Sequence, residues 1–220
     1  MNRVSTKSIA QNNYKRFCAL EGSDHIASEF AIETLLKIIK HFKIKKVLEL
    51  GLGIGAVADT VLKYSKIYNE DIEYFGTEKN DFCLSVLPEN IEDFNNLSLF
   101  NELKSIKNET FDLIIIDGLD TSLDSIKNYV NSRSILFVEG GRKLQTETLL
   151  QMFPKHYFVN VITLRKHRPY SPGGERFLNN YIGGGQLIFI NPNAKMKLFY
   201  IKEKLKSFVV LRIRRLKKNA

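Results

Sequence analysis

Acids that end apolar runs, one of them just before a glycine turn, are suited to hold an organic cation, and the stretch KVLELGLGIGAVA (residues 46–58) has that arrangement. Val47 to Leu50 is a short apolar run that contains Glu49. Gly51, Gly53 and Gly55 then recur at every second position. Glycine there permits a tight turn and a close approach of backbone to a ligand. Glu78 follows the apolar run Ile72 to Thr77, and Asp117 follows Phe111 to Ile116. Carboxylates at one sheet edge attract a positive ligand and repel a pyrophosphate.

A second group lies in RKHRPYSPGGER (residues 165–176). Arg165, Arg168 and Arg176 offer guanidinium forks for a carboxylate or phosphate, and Tyr170 a hydroxyl. His167 is a candidate base near neutral pH. The same segment also reads as a solvated basic loop. Asp120, shortly after Asp117, is a further candidate base if its pKa is raised. It also reads, with Thr121, as the cap of the helix that follows.

These groups need elements to carry them. Helical spacing of Ile26, Phe30, Leu35 and Ile39 predicts an amphipathic helix over Asp24 to Phe42. His25 and His41 are expected as surface or cap residues. Strands are predicted at 46–50, 72–77, 97–100, 111–116, 134–138, 157–165 and 186–190. Helical segments alternate with the first five, and the 81–87 helix is expected to stop at Pro88. The four aliphatics Leu113 to Ile116 lack alternation, as in a strand buried on both faces of a parallel sheet. The last two strands have no helix between them, only a long loop, which reads as a functional lid.

The net charge of +9 is local. From Lys195 onward there are ten Lys/Arg and one acid, net +9, which leaves 23 basic and 23 acidic residues before it. Leu198, Ile201, Leu205, Phe208, Ile213 and Leu216 recur at steps suited to a basic amphipathic helix. Residues 195–220 would meet an anionic membrane surface or an acidic partner, or pack on the body or on a second copy. No apolar run is long enough to span a bilayer, and the first residues carry no secretory signal core. Cys18 and Cys83 have no framework spacing and read as reduced thiols of a cytoplasmic protein.

The combination E-x-G-x-G-x-G, the strand ending Ile-Asp-Gly and the closing strand pair resembles the class I S-adenosylmethionine-dependent methyltransferases over about residues 25–192. Asp117-Gly118, Asp120 and Val138-Glu139-Gly140-Gly141 resemble the small-molecule O-methyltransferase branch, of the catechol and caffeoyl-CoA type. The resemblance implies an α/β, Rossmann-like, doubly wound and mostly parallel seven-stranded sheet with a C-terminal antiparallel pair. A basic C-terminal helix is added to it. Residues 1–22 would be an N-terminal extension, 23–193 the methyltransferase domain and 194–220 the basic extension.

By the same resemblance, S-adenosyl-L-methionine is the cofactor. Glu49, Gly51, Gly53 and Gly55 would hold its methionine part, and Glu78 its ribose. Asn101 or Glu102 would lie near the adenine, and Asp117 would face cofactor and acceptor. Asp117, Asp120 and His167 are the catalytic candidates. Arg165, Arg168, Tyr170 and Arg176 are the candidates for binding a small, anionic acceptor. Members of this branch often place a metal between the fourth-strand aspartate and an Asp-Asn pair. Glu139-Gly140 stands there instead, so no metal is expected. Three rivals stay open: an RNA- or nucleotide-modifying methyltransferase using the basic tail, an NAD-binding oxidoreductase reading Gly51, Gly53 and Ala56 as its fingerprint, and a membrane-associated scaffold with a decayed fold that binds no cofactor. The Asn/Asp-Pro-Pro-aromatic motif of amino-methylating enzymes does not occur.

Overall fold

The computed structural model describes residues 4–118 and 123–218. Asp120 therefore lies outside the described residues. Seven strands form one sheet: β1 (Lys46–Leu50), β2 (Glu73–Thr77), β3 (Leu97–Phe100), β4 (Phe111–Ile116), β5 (Val130–Glu139), β6 (His156–Val161) and β7 (Gly185–Ile190). Their order is β3-β2-β1-β4-β5-β7-β6. The first five run parallel, and β7 inserts antiparallel between β5 and β6. The winding reverses between β1 and β4, on either side of which the connections run opposite ways, so the carboxyl edge opens a crevice there. This is the doubly wound, mostly parallel sheet that the sequence implies.

Both faces of the sheet are buried. Val47, Leu113, Ile115, Phe137 and Phe189 face one layer, and Leu48, Ile114, Ile116, Leu136 and Ile188 the other. The first layer is built by α1 (Thr6–Phe17), α2 (Glu29–Phe42), α3 (Ala56–Tyr68) and α4 (Asp81–Asn90). A 3₁₀ turn at Leu123–Asn128 and α5 (Lys143–Met152) cover the second. α6 (Ala194–Lys218) closes the chain against β6, where Tyr157 and Tyr200 stack at 4.7 Å. Among the described residues no helix is long and apolar enough to cross a membrane.

Local departures from the sequence reading have identifiable causes. α4 runs past Pro88 to Asn90, because in its last turn proline withholds one N–H but keeps a helical φ. The helix expected from Asp24 begins at Glu29, capped by the Ser28 hydroxyl, and Ser23–His25 forms a 3₁₀ turn before it. β6 ends at Val161, short of the predicted Arg165. Residues 1–22 contain α1, whose Ile9, Ala10, Asn13, Tyr14 and Phe17 are buried. Arg16 fixes that helix by pairing with the buried Asp59 of α3 at 2.6 Å and donating to the Asn90 carbonyl at 2.7 Å.

Candidate functional site

The crevice at the carboxyl edge is a cavity of about 560 Å³. The glycine turn after β1 forms its floor. Gly51 has φ +88°, and a Cβ on it would stand 3.0 Å from the Gly118 backbone, so the close approach of the turns after β1 and β4 depends on Gly51 lacking a side chain. Gly53 faces open space: a Cβ there would meet nothing within 4 Å. Gly55 serves packing instead: a Cβ there would press on Ile91 and Leu87, and it does not line the cavity.

Glu49 is fully buried at the inner wall. Its Oε2 accepts from the Tyr74 hydroxyl at 2.5 Å, and its Oε1 has no partner among the described residues. Burial drives the Glu49 pKa well above the usual carboxylate range. The Tyr74 hydrogen bond opposes this, while Asp117 and Glu78 add to it by repulsion. A buried polar atom without a partner costs free energy unless a ligand completes it.

Glu78, just past β2, closes the turn. Its Oε2 accepts from the Gly53 N–H at 2.7 Å, and its Oε1 from Lys79 and Asn80 at 2.8 and 2.9 Å. Asn101 and Glu102, after β3, complete that side. The opposite rim comes from the segment between α1 and α2, with Gly22, His25 and Ile26, and from Phe82 on α4. His25 is exposed, as expected of a surface residue, and lines the cavity as well. A Cβ on Gly22 would lie 2.7 Å from the Phe82 ring, so the rim segment rides directly on that aromatic.

Asp117 stands at the cavity's inner end, and beyond it lie Glu139 and Arg142. The Arg142 guanidinium donates to the backbone oxygens of Asp117 at 2.7 Å and Glu139 at 3.0 Å, and lies 3.5 Å from Asp117 Oδ1. Burial and then repulsion from Glu139 raise the Asp117 pKa well above its usual value, against the Arg142 charge. Glu139 is likewise raised by burial, against Arg142 and the Ser28 backbone N–H. Such a carboxyl pair keeps a proton to higher pH than free carboxyls would and can exchange it with a ligand. The sequence placed Glu139 only by its position after the fifth parallel strand, and Arg142 escaped notice because one basic residue in a glycine turn carries no pattern. Among the described residues no group of three His, Cys, Asp or Glu side chains is arranged to hold a metal ion.

The structure thus brings together Glu49, Gly51, Gly53, Glu78, Asn101, Glu102 and Asp117 around one cavity. It does not bring the 165–176 group there: Arg165, His167, Arg168, Tyr170 and Arg176 do not line this cavity. Arg165 pairs with Glu33 at 2.6 Å and lies 3.4 Å from Glu29, both buried acids of α2. Buried acids need a cation, and Arg165 supplies it. Arg168 lies 3.8 Å from Glu29, the Tyr170 hydroxyl donates to it at 3.4 Å, and Arg176 sits over the Phe177 ring. His167 has its Nδ1 buried without a partner among the described residues, and burial lowers its pKa. Gly184 and Gly185 mark a close crossing of the chain. A Cβ on Gly184 would collide with the Val161 carbonyl, and one on Gly185 with the Phe137 ring.

The sequence matches no protein-family model and no curated protein. Its fold matches solved structures. The O-methyltransferase from Bacillus cereus, in complex with S-adenosylhomocysteine (SAH), is similar at a TM-score of 0.58 and 12% identity, over 83% of this chain and 90% of that one. An SAH-bound methyltransferase from Podospora anserina is similar at 0.58 and 12%, over 84% and 88%. The O-methyltransferase TomG from Streptomyces achromogenes, in complex with S-adenosylmethionine, is similar at 0.54 and 10%, over 84% and 89%. The chain has the Rossmann-like fold of these methyltransferases.

Proposed function

We propose that the chain is an S-adenosylmethionine-dependent methyltransferase acting on an oxygen of a small molecule. The observation that carries this is Glu49: a fully buried acid of β1 just before the glycine turn, with one oxygen that has no partner among the described residues. A cation is the ligand that such an acid lacks. A dinucleotide would set its pyrophosphate among Glu49, Glu78 and Asp117, which disfavours the oxidoreductase reading. The neighbours crystallised with S-adenosylmethionine or SAH share the fold and support the same cofactor.

In this reading Glu49 takes the ammonium of the methionine part, with the turn Gly51 to Gly53 as its bed. Glu78, held in place by three backbone N–H groups, keeps about one acceptor site free, on Oε2, for a ribose hydroxyl. Asn101 and Glu102 flank the base. When bound, the cofactor supplies an electrophilic methyl group. The protein positions the acceptor beside it, which is where most of the rate would come from. The Asp117–Glu139 pair, when ionised, accepts the acceptor's proton, and the Arg142 cation favours that ionised form before the transfer. Exposed Arg168 and Arg176 are the loop groups left to meet an anionic acceptor.

Isothermal titration with SAH tests this on the wild type and on Glu78→Ala. The wild type is expected to bind, and the variant to bind at least about tenfold more weakly through loss of charge-assisted hydrogen bonds. No heat with the wild type refutes the cofactor. Equal affinity in the variant refutes the ribose assignment alone.

A further inference from the structure

α6 has two apolar faces, and the fold uses one. Met196 and Val210 are buried against the body, as is Ser207, whose hydroxyl donates to the Asn160 carbonyl of β6. Phe199 packs on Phe42 at 5.3 Å, and the Arg214 Nε donates to the Thr163 carbonyl at 3.1 Å. On the opposite side Leu198, Ile201, Leu205, Phe208, Val209 and Leu216 are each at least 50% exposed. At about 100° per residue these six fall in a stripe about 100° wide, facing away from the docked side. The helix is 25 residues long, and at about 1.5 Å per residue the stripe runs most of some 35 Å.

Basic residues border the stripe on both sides. Lys197, Lys204 and Arg215 lie along one margin, Lys202 and Lys206 along the other, and Arg212 within it. All six are exposed. The segment carries the whole net charge of +9, and the remainder of the chain is neutral. We propose that this face of α6 is a docking surface for an anionic lipid bilayer. It would lie in the interface plane, with the apolar stripe among the acyl chains and the lysines reaching the headgroups.

Charge decides among occupants. A second copy would bring one +9 segment against another, and a neutral apolar partner would leave the cations unmatched. An anionic bilayer satisfies both components of the face at once. The placement has a consequence for the site. β6 runs parallel to β1, so Thr163, where Arg214 is anchored, lies at the same sheet edge as Glu49 and Asp117. Docking through α6 holds that edge beside the headgroups.

Vesicle co-sedimentation of the full chain tests the proposal. The probes are vesicles of phosphatidylcholine alone and with about one-third phosphatidylglycerol, at low and high salt. The wild type is expected to sediment with the anionic vesicles and to be released as salt rises. Each basic group at the surface is worth about fivefold, so Lys202→Glu with Lys204→Glu weakens binding about 30-fold or more. Leu205→Glu with Val209→Glu weakens it at least about tenfold. All four positions are exposed, so melting temperatures near the wild-type value confirm folded variants. Three outcomes overturn the proposal: no preference for anionic vesicles, full binding by the Leu205→Glu/Val209→Glu variant, or salt-dependent RNA binding or dimerisation in place of vesicle binding.

Discussion

Glu49→Gln separates ligand recognition from folding, because its effects on the two have opposite signs. The substitution keeps the side chain's volume, and the amide oxygen can still accept from Tyr74. It removes the charge and turns an N–H₂ toward the position where Oε1 has no partner among the described residues. A hydrogen bond to a charged group is worth about 1.5–3 kcal/mol, so SAH affinity should fall about 10- to 150-fold. Stability should move the other way. Burial, with Asp117 and Glu78, holds the Glu49 pKa well above its unfolded value, despite the Tyr74 hydrogen bond. The folded state therefore keeps a proton that the unfolded chain releases near pH 4.3, about the value of a free glutamate. Stability that is fully present below that pH is lost as pH rises toward the folded pKa. Glutamine has no proton to lose. The variant without ligand should match the wild type near about pH 4 and melt at a higher temperature by about pH 8, the gap widening with pH. SAH affinity of the wild type should rise over the same range, and that of the variant should stay flat. Titration calorimetry and thermal melts across pH read both effects. A variant that binds SAH as tightly as the wild type, or that is less stable at every pH, refutes the reasoning.

Gly51→Ala forces a side chain onto φ +88° and against the Gly118 backbone, so it should cost about 1–3 kcal/mol and weaken SAH binding. A melting temperature equal to the wild type's would show that the two turns are not in close contact. Arg165→Met strips the buried Glu29 and Glu33 of their shared guanidinium. The loss should be about 1–3 kcal/mol, because Lys37 still pairs with Glu33, and Glu33→Gln in the same chain should recover part of it. Strict additivity in that double variant would exclude the ion pair as the cause. Burial tends to raise the Glu33 pKa, but bonds from Arg165 and Lys37 outweigh it and hold it below the usual value. Its contribution is thus present above the unfolded pKa and lost as pH falls, and Arg165→Met should reduce that acid sensitivity in melts. Glu139→Gln removes the like charge beside Asp117, so the Asp117 titration should move to lower pH in carboxyl-carbon NMR. An unmoved titration would separate the two acids.

What the sequence made legible was what local pattern determines. Leu113 to Ile116 read as a doubly buried strand because four aliphatics without alternation fit little else, and it lies beside β1 in the sheet. Glu49, Glu78 and Asp117 could be placed together because each ends or nearly ends a strand, and parallel strands deliver their ends to one edge. What was not legible depends on distant partners. Gly22, His25 and Ile26 reach the rim only because α1 is fixed through Arg16 and Asp59, 43 residues apart in the chain. Arg165 and Arg168 looked free to bind an anion because Glu29 and Glu33 lie more than 130 residues upstream. From the sequence those acids are the polar face of an amphipathic helix. In the fold they are buried, and a buried acid claims the cation nearest to it.

The carboxyl edge gathers Glu49, Asp117 and Glu139, each raised above its ordinary pKa, with Arg142 the cation among them. Folding without a ligand is therefore disfavoured as pH rises through the range in which these acids ionise. A cationic ligand reverses the sign of that effect, because it lowers the same pKa values that burial raises. Ligand-induced stabilisation grows with affinity as RT ln(1 + [L]/Kd), so the thermal shift produced by a fixed concentration of SAH should increase with pH. A neutral nucleoside lacking the ammonium should give a shift that does not depend on pH. If adenosine and SAH gave shifts with the same pH dependence, the acids would be acting on the fold alone, and the recognition of a cation by Glu49 would have to be abandoned.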